Sequence, residues 1–183
     1  MTLGPAFAAV LAAARSGEDW AWTALYADLS GPVRGYLAGR GSPEPEDEAS
    51  ETFLHVARGI GGFDGDERDF RAWVFSIAHR RMVDAYRRAS VRPVAAAGSS
   101  DEVTASEVTA SAEQQALLRD GLDDARALLE GLSEDQRQIL LLRLVGQLSV
   151  RETARVVGKS ESAVKVAQHR ALGALRRAHD RQR

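Results

Sequence analysis

Residues 149–177 read SVRETARVVGKSESAVKVAQHRALGALRR. Ser149 stands three residues before Glu152, the spacing at which each side chain caps the other residue's backbone N–H at a helix start. Thr153, Ala154, Val156 and Val157 supply the apolar positions of a short helix, and Gly158 closes it. Ser160 caps a longer helix running through Val164, Ala171, Leu172 and Leu175. A short helix, a tight turn containing glycine and a longer basic helix predict a helix-turn-helix. By helical geometry, Val164, Ala171 and Leu175 point one way, with Ala167 and Gln168 flanking them. Ser162, Val166, His169 and Gly173 point the other way, bordered by Lys165, Arg170, Arg176 and Arg177. Small residues in the middle and cations at the edges suit a major groove. The early residues meet base edges and the cations meet phosphates. An amphipathic helix in a generic bundle is the alternative. Capping, turn and charge together favour the helix-turn-helix.

Working upstream, Gly131-Leu132-Ser133 ends one helix and caps the next, with Gln136 in capping-box position. Ile139, Leu140, Leu142 and Leu144 carry that helix to Gly146. Helical signal begins at Glu113 and runs past Leu129. Residues 89–112 contain no aromatic residue, Leu or Ile and read as a flexible linker. A relaxed chain of that length spans roughly 25–30 Å, so the two halves are able to sit apart.

The N-terminal half shows helical spacing throughout. Phe7, Val10, Leu11 and Ala14 form one stripe, and Trp22, Leu25, Tyr26 and Leu29 another. The Gly31-Pro32 step interrupts the second helix or starts a new one, which continues through Val33, Tyr36 and Leu37. Gly39 to Pro45 reads as a loop. A third helix has Ala49, Phe53, Leu54 and Val56 as apolar positions and stops at Gly59, Gly61 and Gly62. Gly59–Asp69 is a loop rich in Gly and Asp. The helix from about Arg68 to Ala89 is apolar on two sides, which places it centrally. Ser76, Arg80 and Arg87 share its polar wedge. The expected fold is all-α: two small helical domains, residues 1–92 and 113–183, joined by a flexible linker at 93–112.

Composition narrows the function. The 183 residues include no cysteine, which excludes disulfides, thiolate metal sites and a cysteine nucleophile. The longest apolar run, Ala6 to Ala14, is too short to span a bilayer and has no basic leader, so no membrane insertion is expected and the default compartment is the cytoplasm. His55, His79, His169 and His179 form no HExxH, and no glycine loop matches a phosphate cradle. No catalytic residue, metal or cofactor is therefore assigned. The net charge of −2 conceals alternation: residues 68–92 carry seven Lys/Arg against two Asp/Glu, and residues 133–183 carry eleven against five. Both flanking segments are acidic. Basic segments suit phosphate backbones.

Glu46-Asp47-Glu48-Ala49-Ser50-Glu51-Thr52-Phe53, then Phe70-Arg71-Ala72-Trp73-Val74-Phe75-Ser76-Ile77-Ala78-His79 with Asp84 and Arg87-Arg88, resembles region two of extracytoplasmic-function (ECF) sigma factors. Leu132 to Arg177 resembles their region four, above all the string from Gly146 to Ala154. The resemblance covers nearly the whole chain in the right order. It implies a bacterial transcription initiation factor that binds core RNA polymerase and directs it to promoter DNA, often under the control of an anti-sigma factor. Asp47, Ser50 and Glu51 match positions that meet the polymerase clamp. Phe63 and Asp64, in the specificity loop, and Ser76, Arg80 and Arg87 match the minus-ten surface, where a base is flipped out of the non-template strand; Phe63 suits a core anchor at least as well as a stacking contact. Ser162, Lys165, Val166, His169 and Arg170 match the minus-thirty-five surface. The family usually has Asn where Arg80 stands, and Gln where Ser50 stands.

A helix-turn-helix regulator that ignores core polymerase is the alternative; the Asp47–Phe53 and Phe70–Arg88 motifs argue against it. The acidic block 93–132 reads as a solvated linker, with screening of the basic surfaces as the second possibility.

Overall fold

The computed structural model describes residues 3–91, 129 and 131–182. A 3-10 turn at Gly4–Ala6 leads into α1 (Phe7–Arg15), α2 (Asp19–Gly39) and α3 (Pro45–Gly59). A second 3-10 turn, Ile60–Gly62, precedes α4 (Glu67–Val91). The C-terminal half holds α5 (Glu134–Leu144), α6 (Val150–Val157) and α7 (Glu161–Gln182). The described residues form no strand. The linker expected at 93–112 and the helix expected from Glu113 lie outside the described residues, except for Leu129, which is helical.

Several expectations need correction. α2 runs unbroken through Pro32. A proline inside a helix costs about 3 kcal/mol, because it removes one hydrogen bond and crowds the preceding turn. Full burial of Val33, Tyr36 and Leu37 beyond it offsets that cost. Leu54, assigned to the apolar stripe of α3, is 48% exposed, and Thr52 takes the buried position instead, its hydroxyl donating to the Glu48 carbonyl at 2.8 Å. The glycine-rich loop is also shorter than expected. Asp66 accepts hydrogen bonds from the Arg68 and Asp69 amides at 2.8 and 2.9 Å, so α4 begins at Glu67.

α4 is the central helix of the N-terminal half. It buries Phe70, Val74, Phe75, Ala78 and Met82 against α2 and α3. Within this apolar setting, Arg71 donates to Asp28 of α2 at 2.8 Å, and both side chains are almost fully buried.

The capping of the C-terminal half follows the sequence pattern. Ser133 with Gln136, and Ser149 with Glu152, each make both hydrogen bonds of a capping box. Gly158 ends α6 at φ 67°, a left-handed conformation that glycine adopts without a Cβ clash. Ser160 accepts from the Ala163 amide at 3.2 Å and opens α7.

The two halves do not stand apart. Leu141, Leu142 and Leu148 join the core of the N-terminal half. The cause lies in α5, where Ile139, Leu140, Leu141 and Leu142 are consecutive and all buried. Four consecutive apolar residues point around more than one face of a helix. Ile139 and Leu140 face the helix-turn-helix, while Leu141 and Leu142 need a second partner. The approach is close: a Cβ at Gly146 would stand 2.7 Å from the Leu142 carbonyl oxygen and 3.3 Å from the Phe75 ring. Leu144, expected on the apolar side of this helix, is 62% exposed at its end.

Candidate polymerase and promoter interfaces

The acidic start of α3 presents the first set of site residues. Asp47, Ser50 and Glu51 lie within about one helical turn, and all three are exposed. The neutral Ser50 hydroxyl donates back to the Glu46 carbonyl at 3.0 Å. Arg81 of α4 reaches across to Glu48 at 3.4 Å and Glu51 at 3.7 Å, and meets His55 Nε2 at 3.2 Å. This bracing fixes the angle between α3 and α4 while the acidic face stays open to solvent.

The second set lies on the loop and α4. Phe63 is half-buried and does not point outward. Its ring stacks on Trp73 at 5.2 Å and meets Phe70 edge-on at 5.2 Å. It anchors the loop to the core, an alternative to base stacking that aromatic packing favours. Asp64 is exposed next to it. Ser76, Arg80 and Arg87 follow one face of α4 over about 16 Å. Arg80 is laid along the helix, its Nη2 donating to Ser76 Oγ at 3.1 Å and its Nε to the Ser76 carbonyl at 3.2 Å.

The third set lies on α7. Ser162, Lys165, Val166, His169 and Arg170 are all exposed, while Val164 and Ala171 on the opposite side are fully buried. Val166 leaves 49% of its surface open, which an apolar base contact such as a thymine methyl group would cover. Arg143 of α5 braces this helix by donating to Gln168 Oε1 at 3.1 Å and to the Leu148 carbonyl. Lys159 in the turn pairs with Asp135 at 2.7 Å. The early residues of α7 are thus held on a rigid base, as direct readout needs.

One buried cluster escaped the sequence, where residue 40 reads as part of a loop. Arg40 caps the end of α2 and is only 2% exposed. It donates to Tyr36 Oη at 2.8 Å, pairs with Glu134 of α5 at 2.6 Å and reaches Gln138 Oε1 at 3.3 Å. Tyr36 Oη lies 3.0 Å from His79 Nδ1. Because Arg40 donates to the phenol oxygen, the phenol proton is directed at the imidazole nitrogen, which acts as acceptor. The cluster joins α2 and α4 to α5, and Asp69–Arg155 at 3.7 Å is a second polar link between the halves. Its only sequence signal is the spacing of Tyr36 and Arg40, one turn apart.

Burial pushes the Tyr36 phenol up to about 12. Burial, followed by the nearby Arg40 and Arg80 guanidiniums, pushes His79 down to about 4 from 6.5. Between those two values the unfolded chain binds a proton that the folded protein does not. Stability is therefore complete above about pH 6.5 and is lost as pH falls toward 4. Urea unfolding is expected to show about 1–2 kcal/mol less stability at pH 5 than at pH 7 from this group. His79→Gln should flatten that part of the slope; an unchanged slope would assign it to other groups.

No helix among the described residues is long and apolar enough to cross a membrane. The Sigma-70 region 2 family model matches residues 23–92, and the Sigma-70, region 4 model matches residues 122–175. The chain is 38% identical to the ECF RNA polymerase sigma factor BldN of Streptomyces coelicolor over 169 residues, 90% of this chain and 62% of that protein. It is 38% identical to ShbA of Streptomyces griseus over 132 residues, 72% of this chain and 69% of that protein. It is 37% identical to SigD of Mycobacterium tuberculosis over 131 residues, 72% of this chain and 61% of that protein. The chain thus matches about three-fifths to two-thirds of the length of these relatives. CnrH, solved in complex with the cytosolic domain of CnrY, shares the fold at a TM-score of 0.69 and 24% identity, over 97% of this chain and 99% of that one. With both regions matched in order, and a relative above one-third identity covered over more than two-thirds of its length, this chain belongs to the ECF RNA polymerase sigma factor family.

Proposed function

We propose that this protein is a bacterial alternative sigma factor that binds core RNA polymerase and directs promoter-specific initiation. One observation carries this choice over a plain DNA-binding regulator. A region-two match with an exposed acidic face on α3 precedes the helix-turn-helix on the same chain. Asp47, Ser50 and Glu51 dock on the polymerase clamp. Asp64, Ser76, Arg80 and Arg87 meet the minus-ten element, with Phe63 holding the loop in place. Ser162, Lys165, Val166, His169 and Arg170 meet the minus-thirty-five duplex. The protein acts by binding, without a catalytic residue or cofactor of its own, and it works in the cytoplasm beside the polymerase. An anti-sigma factor is its expected regulator; CnrH, which shares the fold, is solved with the cytosolic domain of a second protein.

The test is in vitro transcription with bacterial core polymerase, the purified protein and a genomic promoter pool. Transcripts that share two upstream elements are expected. Absence of transcripts, together with absence of a complex with core, would leave the plain regulator. Asp47→Arg with Glu51→Arg should weaken core binding by at least about tenfold, since it reverses the charge that this face presents. Binding to the minus-thirty-five duplex should not change. Unchanged core binding in this variant would remove the acids from the polymerase interface.

A further inference from the structure

The loop between α3 and α4 is held by a part of the chain that precedes the region-two match at residue 23. Arg15, the last residue of α1, donates from Nε to the Ile60 carbonyl at 3.2 Å and from Nη2 to the Phe63 carbonyl. At the other end of the loop, the Glu67 carboxylate accepts from the Leu3 amide at 2.6 Å and the Gly4 amide at 2.9 Å. Phe7 of α1 packs on Phe70 at 5.6 Å, beside the Phe63 ring. The N-terminal segment therefore grips the loop through two backbone carbonyls, a carboxylate and one aromatic contact.

The same residues line an open cleft of about 520 Å³. Gly4, Phe7, Leu11 and Arg15 form one wall, and Asp64 and Glu67 belong to the other. Arg15 is exposed, so its bonds to the loop are not needed to fill the core. Its planar fork suits two acceptors at once, as a lysine's point charge does not. Phe63 anchors the loop's side-chain layer on Phe70 and Trp73, and Arg15 holds its backbone carbonyls. Residues 61, 62 and 65 are glycines, and Gly65 sits at φ 149°, where other residues are strained.

We infer that Arg15 is a positioning residue for minus-ten recognition: it fixes residues 60–63 so that the loop is already shaped when it receives an unstacked base. This rests on the proposed role of the loop in base recognition. Extruding a base from the stack costs free energy. A loop that is not held in one shape re-packs around a wrong base as well as the right one, so the penalty for the wrong base falls and discrimination falls with it. Glu67 performs the matching task at the start of α4, and Arg15 acts on the loop's own carbonyls.

The experiment compares wild type, Arg15→Ala, Arg15→Lys and the loop variant Asp64→Ala, each with core polymerase on promoters randomised across the minus-ten element. Arg15→Ala is expected to reduce the preference between best and worst base at the loop-facing position by about five- to tenfold, the scale of charge-assisted hydrogen bonds that the variant cannot make. Arg15→Lys should fall between Ala and wild type. Affinity for core and for the minus-thirty-five duplex should not change. In the free protein, amide hydrogen exchange at residues 61–66 should accelerate about tenfold in Arg15→Ala. A merely structural role would lower activity on all promoters equally. If Asp64→Ala alters base preference and Arg15→Ala does not, the positioning role is overturned and the loop's role stands. If neither alters it, the loop's role fails and the positioning role with it. Unchanged amide exchange would overturn the positioning role on its own.

Discussion

Asp28→Ala is expected to destabilise the protein by about 3–5 kcal/mol, because it strands a buried guanidinium. The Arg71 side chain lies 2.8 Å from Asp28 between α2 and α4, and both are more than nine-tenths buried. Their neighbours along the helices, Leu25, Leu29, Phe70 and Val74, are core residues with almost no exposed surface. Removing the carboxylate leaves a permanent charge in apolar surroundings, since arginine does not lose its proton. For a chain of this length the melting temperature should drop by roughly 10 °C. A second variant, Asp28→Ala with Arg71→Leu, should recover more than half of the loss, because a buried ion pair is worth little more than apolar residues of similar volume. If the double variant were as unstable as the sum of the two single ones, the two side chains would be uncoupled, and a stranded guanidinium would not be the cause of the loss. Thermal and urea unfolding of the four proteins separates the two outcomes.

Lys165→Ala combined with Arg170→Ala is expected to lower promoter-specific transcription by roughly 100-fold, at about 1–3 kcal/mol for each good base contact. The side chains are exposed on the outer face of α7, while its inner face is held by Val164 and Ala171, so the fold should not change. Affinity for core polymerase should also stay the same. The salt dependence of duplex binding distinguishes two modes of DNA recognition. If both cations neutralise phosphates, the double variant should reduce the slope of log K against log salt by about two. If they read base edges, it should instead relax the preferred minus-thirty-five sequence. Loss of core binding in this variant would refute the assignment of α7 to DNA.

Much of this was legible from local chemistry. The two capping boxes, Ser133 with Gln136 and Ser149 with Glu152, form at their expected spacing because a cap is decided within four residues of chain. The outward face of α7 follows from helical periodicity alone. Phe63 shows where this stops. As a sequence position it suits either a base or the core, and only the rings of Phe70 and Trp73 beside it make the choice. Pro32 is similar. Locally it ends a helix, and only the burial of the residues beyond it carries α2 through.

The helical class, the helix-turn-helix, the outward-facing cations and the acids at the start of α3 are all written in the order of the residues. Each depends on spacing along one helix or on a cap, and so on interactions within a few residues. Long-range packing settles that α5 seals the two halves into a shared core, and that Arg40, Tyr36 and His79 form a buried chain of hydrogen bonds at that seam. It also settles that Arg15 holds a loop 45 residues away. Apart from Arg40 on Tyr36, these contacts join residues distant in sequence, and no local periodicity encodes which apolar face will meet which. They exist because apolar surface on separate helices must be buried together, and the polar groups carried along with it must then find partners away from water.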